Sequence, residues 1–299
     1  MGIDEDQNRR RGVRIGIASG ASAFLIWGLS PAYWKMLAGV PALEIITHRM
    51  VWSFVFLLPL ILISGRRGEF TSVLTNRKTM GVLLTTSLLV SVNWLIYIWA
   101  VNTGHVLQAS LGYYINPLVN VLLGMVFLKE RLRRPQALAV LTALAGVVCL
   151  GVSYGQFPWI SISLAVSFGC YGLVRKVAAV GALVGLAVET LLLSVPALFY
   201  LVHVGLEGRG AFLSRGPGMD LILMGSALVT AVPLLLFTTG TRRLSLSTVG
   251  FLQYIAPTGM FLLGVFAYGE PFSTAQIVTF SLIWTALAVY SVDAATHCR

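Results

Sequence analysis

Apolar runs of about 18 or more residues recur along nearly the whole chain, each long enough to cross a hydrocarbon core of about 30 Å. A segment in lipid has no water to satisfy its backbone, so it is either a helix or a strand of a closed barrel. Barrel strands read as roughly ten residues of strict alternation. The runs here are longer and continuously apolar, so helices are expected. With 57% hydrophobic and 11% charged residues, the chain falls far below the roughly 25% charged content of a soluble domain.

The runs lie at 14–34, 43–64, 80–100, 106–128, 135–151, 158–174, 183–203, 219–240, 247–268 and 274–292, which makes ten transmembrane helices. Residues 1–12 are polar and of mixed charge and are expected to form a disordered tail, with a second tail at 294–299. The first run holds Trp27 and Pro31 and has no small-x-small cleavage site at its end, so it reads as an uncleaved span rather than a signal peptide. The longer connections, near 65–79 and 204–218, read as loops from their Gly, Pro and charge content.

A net charge of +10 raises the question of nucleic acid. The basic residues sit in short clusters between apolar runs, where orientation signals belong, so no nucleic-acid partner is expected. With the N-terminus placed inside, seventeen Lys and Arg fall in inner segments, Arg175 and Lys176 among them, and three fall in outer segments. Arg49 lies within a span and completes the 21. This asymmetry puts both termini in the cytoplasm.

One stretch occurs twice. Tyr114-Ile115-x-Pro117 is followed thirteen residues later by Glu130, and Tyr254-Ile255-x-Pro257 is followed thirteen residues later by Glu270. At the same offset, Gly124 falls on Gly264 and Gln136 on Gln276. Phe24-x-x-Trp27-Gly28 is echoed by Phe168-x-x-Tyr171-Gly172, and Glu44 by Glu189. The expected fold is therefore two five-helix repeats, 13–151 and 156–293. Five is odd, so the second repeat is inverted in the membrane, a construction used by secondary transporters with the binding site at the repeat interface. The flanking charges agree: four basic residues follow the first copy within 129–134, and none follows the second within 269–274.

Charges within a span are costly and face a cavity or a partner. Arg49 lies about six residues into its span, roughly 9 Å deep, with Glu44, Thr47 and His48 as sequence neighbours. It is read either as snorkelling or paired, or as lining a polar path that attracts anionic or polar groups. Glu189 lies at a similar depth from the opposite face, too far for a direct pair with Arg49, and is the candidate proton-coupling carboxylate. Span three carries Asn93, Trp94 and Tyr97, and span four carries Tyr113, Asn116 and Asn120. Asn93 and Tyr97 share a face, as do Asn116 and Asn120. With Trp27, His48, Gln253 and Tyr254 these are the candidate lining of a substrate path; the alternative is bonding between helices. Pro117 and Pro257 each remove a backbone donor inside a span, and as a matched pair they are candidate hinges.

Cys149, Cys170 and Cys298 have no zinc-site or CxxC spacing, no phosphate-cradling loop is present, and His48, His105, His203 and His297 are scattered. No metal, no cofactor and no enzymatic activity are expected.

Several segments carry a resemblance. They are Glu44 to Arg49, Asn93-Trp94 with Trp99 to Asn102, Ala109 to Asn120, Tyr171 to Lys176, and Ser247 to Thr258. In these the chain resembles the EamA-type permeases of the drug/metabolite transporter superfamily, and among them the RarD-type proteins labelled for chloramphenicol sensitivity. The resemblance covers nearly the whole chain beyond the tail. It departs at Lys129, where the first-half pattern has Gly before Glu130; the second half keeps Gly269-Glu270. It implies a multi-pass permease of the cytoplasmic membrane working by alternating access, and it leaves the substrate open. The leading expectation is a secondary transporter of a small organic metabolite or drug, with efflux as the expected direction and protons as the candidate coupling ion. Its partners would be that small molecule and membrane lipid. A non-transporting membrane interaction or sensor protein is the alternative.

Overall fold

The computed structural model describes residues 2–37, 39–102, 106–153, 158–267 and 274–297. Among them all regular structure is helical: α1 (Gly2–Lys35), α2 (Ala42–Ile63), α3 (Arg67–Thr75), α4 (Arg77–Asn102), α5 (Val106–Leu128), α6 (Arg134–Ser153), α7 (Trp159–Val177), α8 (Ala182–Leu206), α9 (Pro217–Thr241), α10 (Leu246–Gln253), α11 (Ile255–Leu262), and, after a π-helical turn at Leu263–Ala267, α12 (Thr274–His297). The chain is an all-α multi-pass membrane protein. Eight of these helices are long and apolar enough to cross a bilayer.

Three expectations are corrected here. Residues 2–12 are not a disordered tail but the first turns of α1; no proline interrupts them, and a helix already nucleated gains one bond per residue added. The loop expected near 65–79 contains the nine-residue α3. The ninth expected span is not one continuous helix, because α10 ends and α11 begins around Tyr254. Pro257 has no N–H to give to the carbonyl four residues earlier, and its ring crowds that carbonyl, so the ladder breaks there. In the last expected span the apolar stretch is the shorter Ile277–Asp293. Glu270, Cys298, His105 and Arg299 lie outside the described residues.

Helices in lipid gain nothing from hiding apolar surface from one another, so close backbone approach matters. Gly28 on α1 meets α11 this way: a Cβ there would stand 3.0 Å from the Ala256 carbonyl oxygen and 3.3 Å from the Gly259 Cα. Gly112 on α5 does the same against α7, with a Cβ 3.1 Å from the Ser161 carbonyl oxygen. The remaining main pairings are α6 with α12, α2 with α8 and α9, α1 with α9, α5 with α10, and α4 with α7 and α8.

Glu130 ties the chain together across these pairings. Lys129 turns the end of α5 with φ 54°, the left-handed region that glycine takes without cost; the departure from the Gly-Glu pattern is thus a strained turn. Gly124 leaves room for the Glu130 carboxylate, which would stand 2.6 Å from a Cβ at that position. The carboxylate accepts from Leu246 N at 2.7 Å, Ser247 N at 3.0 Å and Ser247 Oγ at 2.8 Å. It therefore satisfies amides at the first turn of α10 and places a negative charge at the positive end of that helix. In the first copy of the recurring stretch, this contact accounts for Gly124 and Glu130.

Basic residues perform the matching task at helix C-termini. Lys176 Nζ donates to Thr241 O at 3.1 Å and to Leu244 O at the end of α9. Arg242 donates to Ala178 O at 3.3 Å and to Val180 O just past α7. Arg175 is different. It had been counted with Lys176 as an inner-segment charge, yet it lies inside α7 and is fully buried. Removing it leaves a charge asymmetry of sixteen to three.

Glu130→Ala is expected to destabilise the protein by about 1–2 kcal/mol, the loss of a charged cap, read as a lower unfolding temperature in detergent. Glu207→Ala, at an exposed pair with Arg209, is expected to leave that temperature unchanged.

Candidate functional site

Helices α1, α2, α4 and α5, with α7, α9, α10 and α11, enclose a cavity of about 470 Å³, within the range of small-molecule sites. Its lining runs from Lys35 at the end of α1 inward to Phe24, Phe168 and Leu234. Phe24, Trp27, Pro31 and Trp34 face it from α1 at helical spacing. Of the residues proposed from sequence, Trp27, Arg49, Asn93, Trp94, Tyr97, Tyr113, Asn116 and Gln253 all lie on this lining.

Arg49 is the charged group at its centre. Its Nε donates to Thr230 Oγ1 on α9 at 2.9 Å. Its guanidinium carbon stands 4.7 Å from the ring of Trp34 and 4.7 Å from the ring of Trp94. Two indole faces thus stabilise the cation by about 0.5–2 kcal/mol each. That is less than the cost of a charge at depth, and among the described residues no carboxylate pairs with it. Glu44, its neighbour in sequence, points elsewhere: its Oε1 accepts from Ala211 N at 2.5 Å and lies 3.9 Å from His48 Nε2.

The polar residues divide between the cavity and the helix contacts. Asn93 Nδ2 donates to Leu164 O at 2.8 Å and Ser167 Oγ at 2.9 Å, so it joins α4 to α7 while also facing the cavity. Tyr97 and Tyr113 pack edge to face, 5.9 Å between centroids. Asn116 is 6% exposed, and its Oδ1 has no hydrogen-bond partner. Asn120 leaves the cavity and donates through Nδ2 to Gln253 Oε1, joining α5 to α10 beside Pro117 and Gly250. Tyr254 is fully buried, its hydroxyl 3.4 Å from the Tyr114 carbonyl oxygen. His48 is also outside, its ring 5.2 Å from that of Phe212. Pro117 sits inside the continuous α5, whereas Pro257 follows the break between α10 and α11.

An aromatic layer forms the end of the cavity away from Lys35. Trp27 meets Phe168 edge to face at 5.8 Å, and Phe24, Phe168 and Tyr171 all pack on Phe237. Beyond it lies Glu189. Thr86 Oγ1 donates to Glu189 Oε1 at 2.5 Å, and the Tyr171 hydroxyl donates to Oε2 at 3.4 Å. Arg175 Nε stands 3.6 Å from Glu189 Oε1. Gly185 gives the guanidinium its space; a Cβ there would collide with it. Sequence reading separated Glu189 from Arg49 and missed its partner, because Arg175 stands beside Lys176 in what reads as a loop pair. Trp34 was missed too, although its spacing from Trp27 repeats the helical face. Thr230 gave no local signal.

Residues 14–152 match the EamA-like transporter family. Protein RarD of Salmonella typhi is 47% identical over 281 residues, covering 94% of this chain and 96% of that protein. A protein of Vibrio cholerae serotype O1 described as an uncharacterized transporter is 46% identical over 289 residues, covering 97% of this chain and 94% of the relative. One solved crystal structure, at 21% identity, superposes with a TM-score of 0.73 over 94% of this chain and 98% of its own, and it shares the fold.

Breaking the buried pair from one side is expected to cost about 3–5 kcal/mol. Arg175→Met and Glu189→Leu should each lower the unfolding temperature in detergent, and the double variant should recover most of the loss. Additive losses would show that the two charges do not compensate each other.

Proposed function

The chain belongs to the EamA family of membrane transporters, in its RarD-type branch, and from that premise we propose that it is a secondary active permease moving a small organic metabolite or drug across the cytoplasmic (inner) membrane. The observation that carries this reading is the Arg49 cation, held without a carboxylate partner among the described residues in a cavity large enough for such a molecule. A charge in a span is retained where it serves a path or a site.

The working architecture is ten crossings, made of α1, α2, α4, α5 and α6 followed by α7, α8, α9, α10 with α11, and α12, arranged as two inverted repeats over 13–151 and 156–293 with both termini in the cytoplasm. Three contacts support it. Tyr114 and Tyr254, equivalent positions of the recurring stretch, touch each other. So do Trp27 and Phe168, from the two copies of the other motif. The pairing of α1 with α9 has its counterpart in α7 with α4, and that of α5 with α7 in α11 with α1. Equivalent positions such as Tyr114 and Tyr254 meet one another only near a two-fold axis; Trp27 and Phe168 are not equivalent positions but bring the two copies of their motif together. Bacterial relatives support the inner membrane as the location.

In this orientation the cavity reaches the outer face at Lys35, and the aromatic layer with Glu189–Arg175 forms the inner closure. Alternating access then exchanges which end is closed. Pro117 and the break before Pro257 are the hinges, Glu189 is the proton-coupling carboxylate, and efflux is the direction. Protonating Glu189 would remove its charge from Arg175 and loosen the inner closure.

The test is flux of a metabolite panel in proteoliposomes, with and without a pH gradient. Flux above that of protein-free vesicles, abolished in Arg49→Gln, is expected; equal flux from both kinds of vesicle overturns the transporter reading for that panel. Glu189→Gln is expected to flatten the dependence on the pH gradient, and unchanged dependence removes it as the coupling group.

A further inference from the structure

Arg49 is held in a way that leaves a defined set of donors for a ligand. Its Nε is committed to Thr230 Oγ1 at 2.9 Å. Trp34 and Trp94 take up its surroundings at 4.7 Å from the guanidinium carbon. The terminal amino groups remain without a carboxylate among the described residues, and the side chain lines the cavity. A guanidinium edge of this kind matches the two oxygens of a carboxylate in a parallel fork.

A second observation concerns the same cavity. Asn116 is 6% exposed, lines the cavity, and carries an Oδ1 without a hydrogen-bond partner. An acceptor buried without a donor costs about 1–3 kcal/mol, which a hydroxyl or amide N–H of a ligand would offset. The same lining includes Trp27, Trp94 and Phe168, a surface for an apolar, ring-sized body.

The lining also restricts charge. Among the described lining residues there are two cations, Arg49 and Lys35, and no Asp or Glu. A cationic ligand would meet only like charge. The ammonium group of a zwitterion would have no carboxylate to pair with, and would be desolvated without compensation.

We propose that the cavity binds an organic anion: a single carboxylate seated on Arg49, an apolar ring body against the tryptophans, and a neutral donor reaching Asn116, with amines and zwitterions disfavoured. This deepens the permease reading by naming its substrate class and rests on the same cavity. The two are separable, because binding can be read without transport.

The experiment is isothermal titration calorimetry on the purified full chain in neutral detergent. The probes are matched sets: 3-(4-hydroxyphenyl)propionate, its primary amide, tyramine and tyrosine, then the corresponding set built on 3-phenylpropionate. The acids are expected to bind at least about tenfold more tightly than their amides, the worth of a bidentate charge-assisted pair over a neutral contact. Tyramine and tyrosine should bind more weakly still. The hydroxylated acid should exceed its phenyl analogue in wild type, and that gain should vanish in Asn116→Ala. Arg49→Gln should erase the preference for acid over amide, and Arg49→Lys should restore part of it. The wild-type comparison does not depend on any variant folding. Amides or amines binding as tightly as acids, or no acid binding at all, overturns the proposal. Neutral compounds transported by a protein that binds no acid would sink this inference and leave the permease reading intact. Acid binding without flux would do the reverse.

Discussion

A guanidinium held between two indoles inside the helix bundle, with no carboxylate to neutralise it among the described residues, is the constraint around which this fold is arranged. Arg49 reaches its position because α1 and α4 bring Trp34 and Trp94 to either side of it, and because α9 supplies Thr230. Those contacts restrain the group and recover part of its desolvation, but they do not discharge it. A protein that needed only stability would gain by an apolar replacement at this depth. A fully buried cation makes the contrast. Arg175 stands beside Glu189, in space that Gly185 leaves open. One cation is balanced inside the protein, and the other faces a cavity.

The scaffold has to hold that cavity open while its two halves stay joined. Glycine contacts let α1 approach α11 and α5 approach α7, and Glu130 fastens the end of α5 to the start of α10. These contacts join the segments that carry the two prolines. Asn120 and Gln253 pair at the same crossing. Polar contacts between helices in lipid are worth about 0.6 kcal/mol on average.

Much of the site could be read from the chain because intramembrane polarity is rare enough to be informative. Arg49, Asn93, Trp94, Tyr97, Tyr113, Asn116, Gln253 and Trp27 stand out in the sequence as polar or aromatic residues within spans, and they line one cavity. Asn120, Tyr254 and His48 met the same criterion and are occupied with neighbouring helices instead. Spacing along one helix says which residues share a face, but not which helix that face meets. Arg175 was hidden by its place beside Lys176 at the end of an apolar run. The break at Tyr254 was foreshadowed by Pro257, although a kink and a full interruption look alike in sequence. The repeated Gly and Glu were visible as a pattern long before their task was: the cap that Glu130 makes on α10 joins residues 116 positions apart.

The central claim is that cargo occupies the Arg49 cavity with its acidic group on that side chain. The most direct measurement is an anomalous difference map from crystals of the protein with 3-(4-bromophenyl)propionate. The account predicts one bromine peak inside the cavity, against the layer formed by Trp27 and Phe168, with the carboxylate within hydrogen-bond distance of Arg49. A peak confined to another site, or a ligand in this cavity with its carboxylate turned away from Arg49, would contradict it.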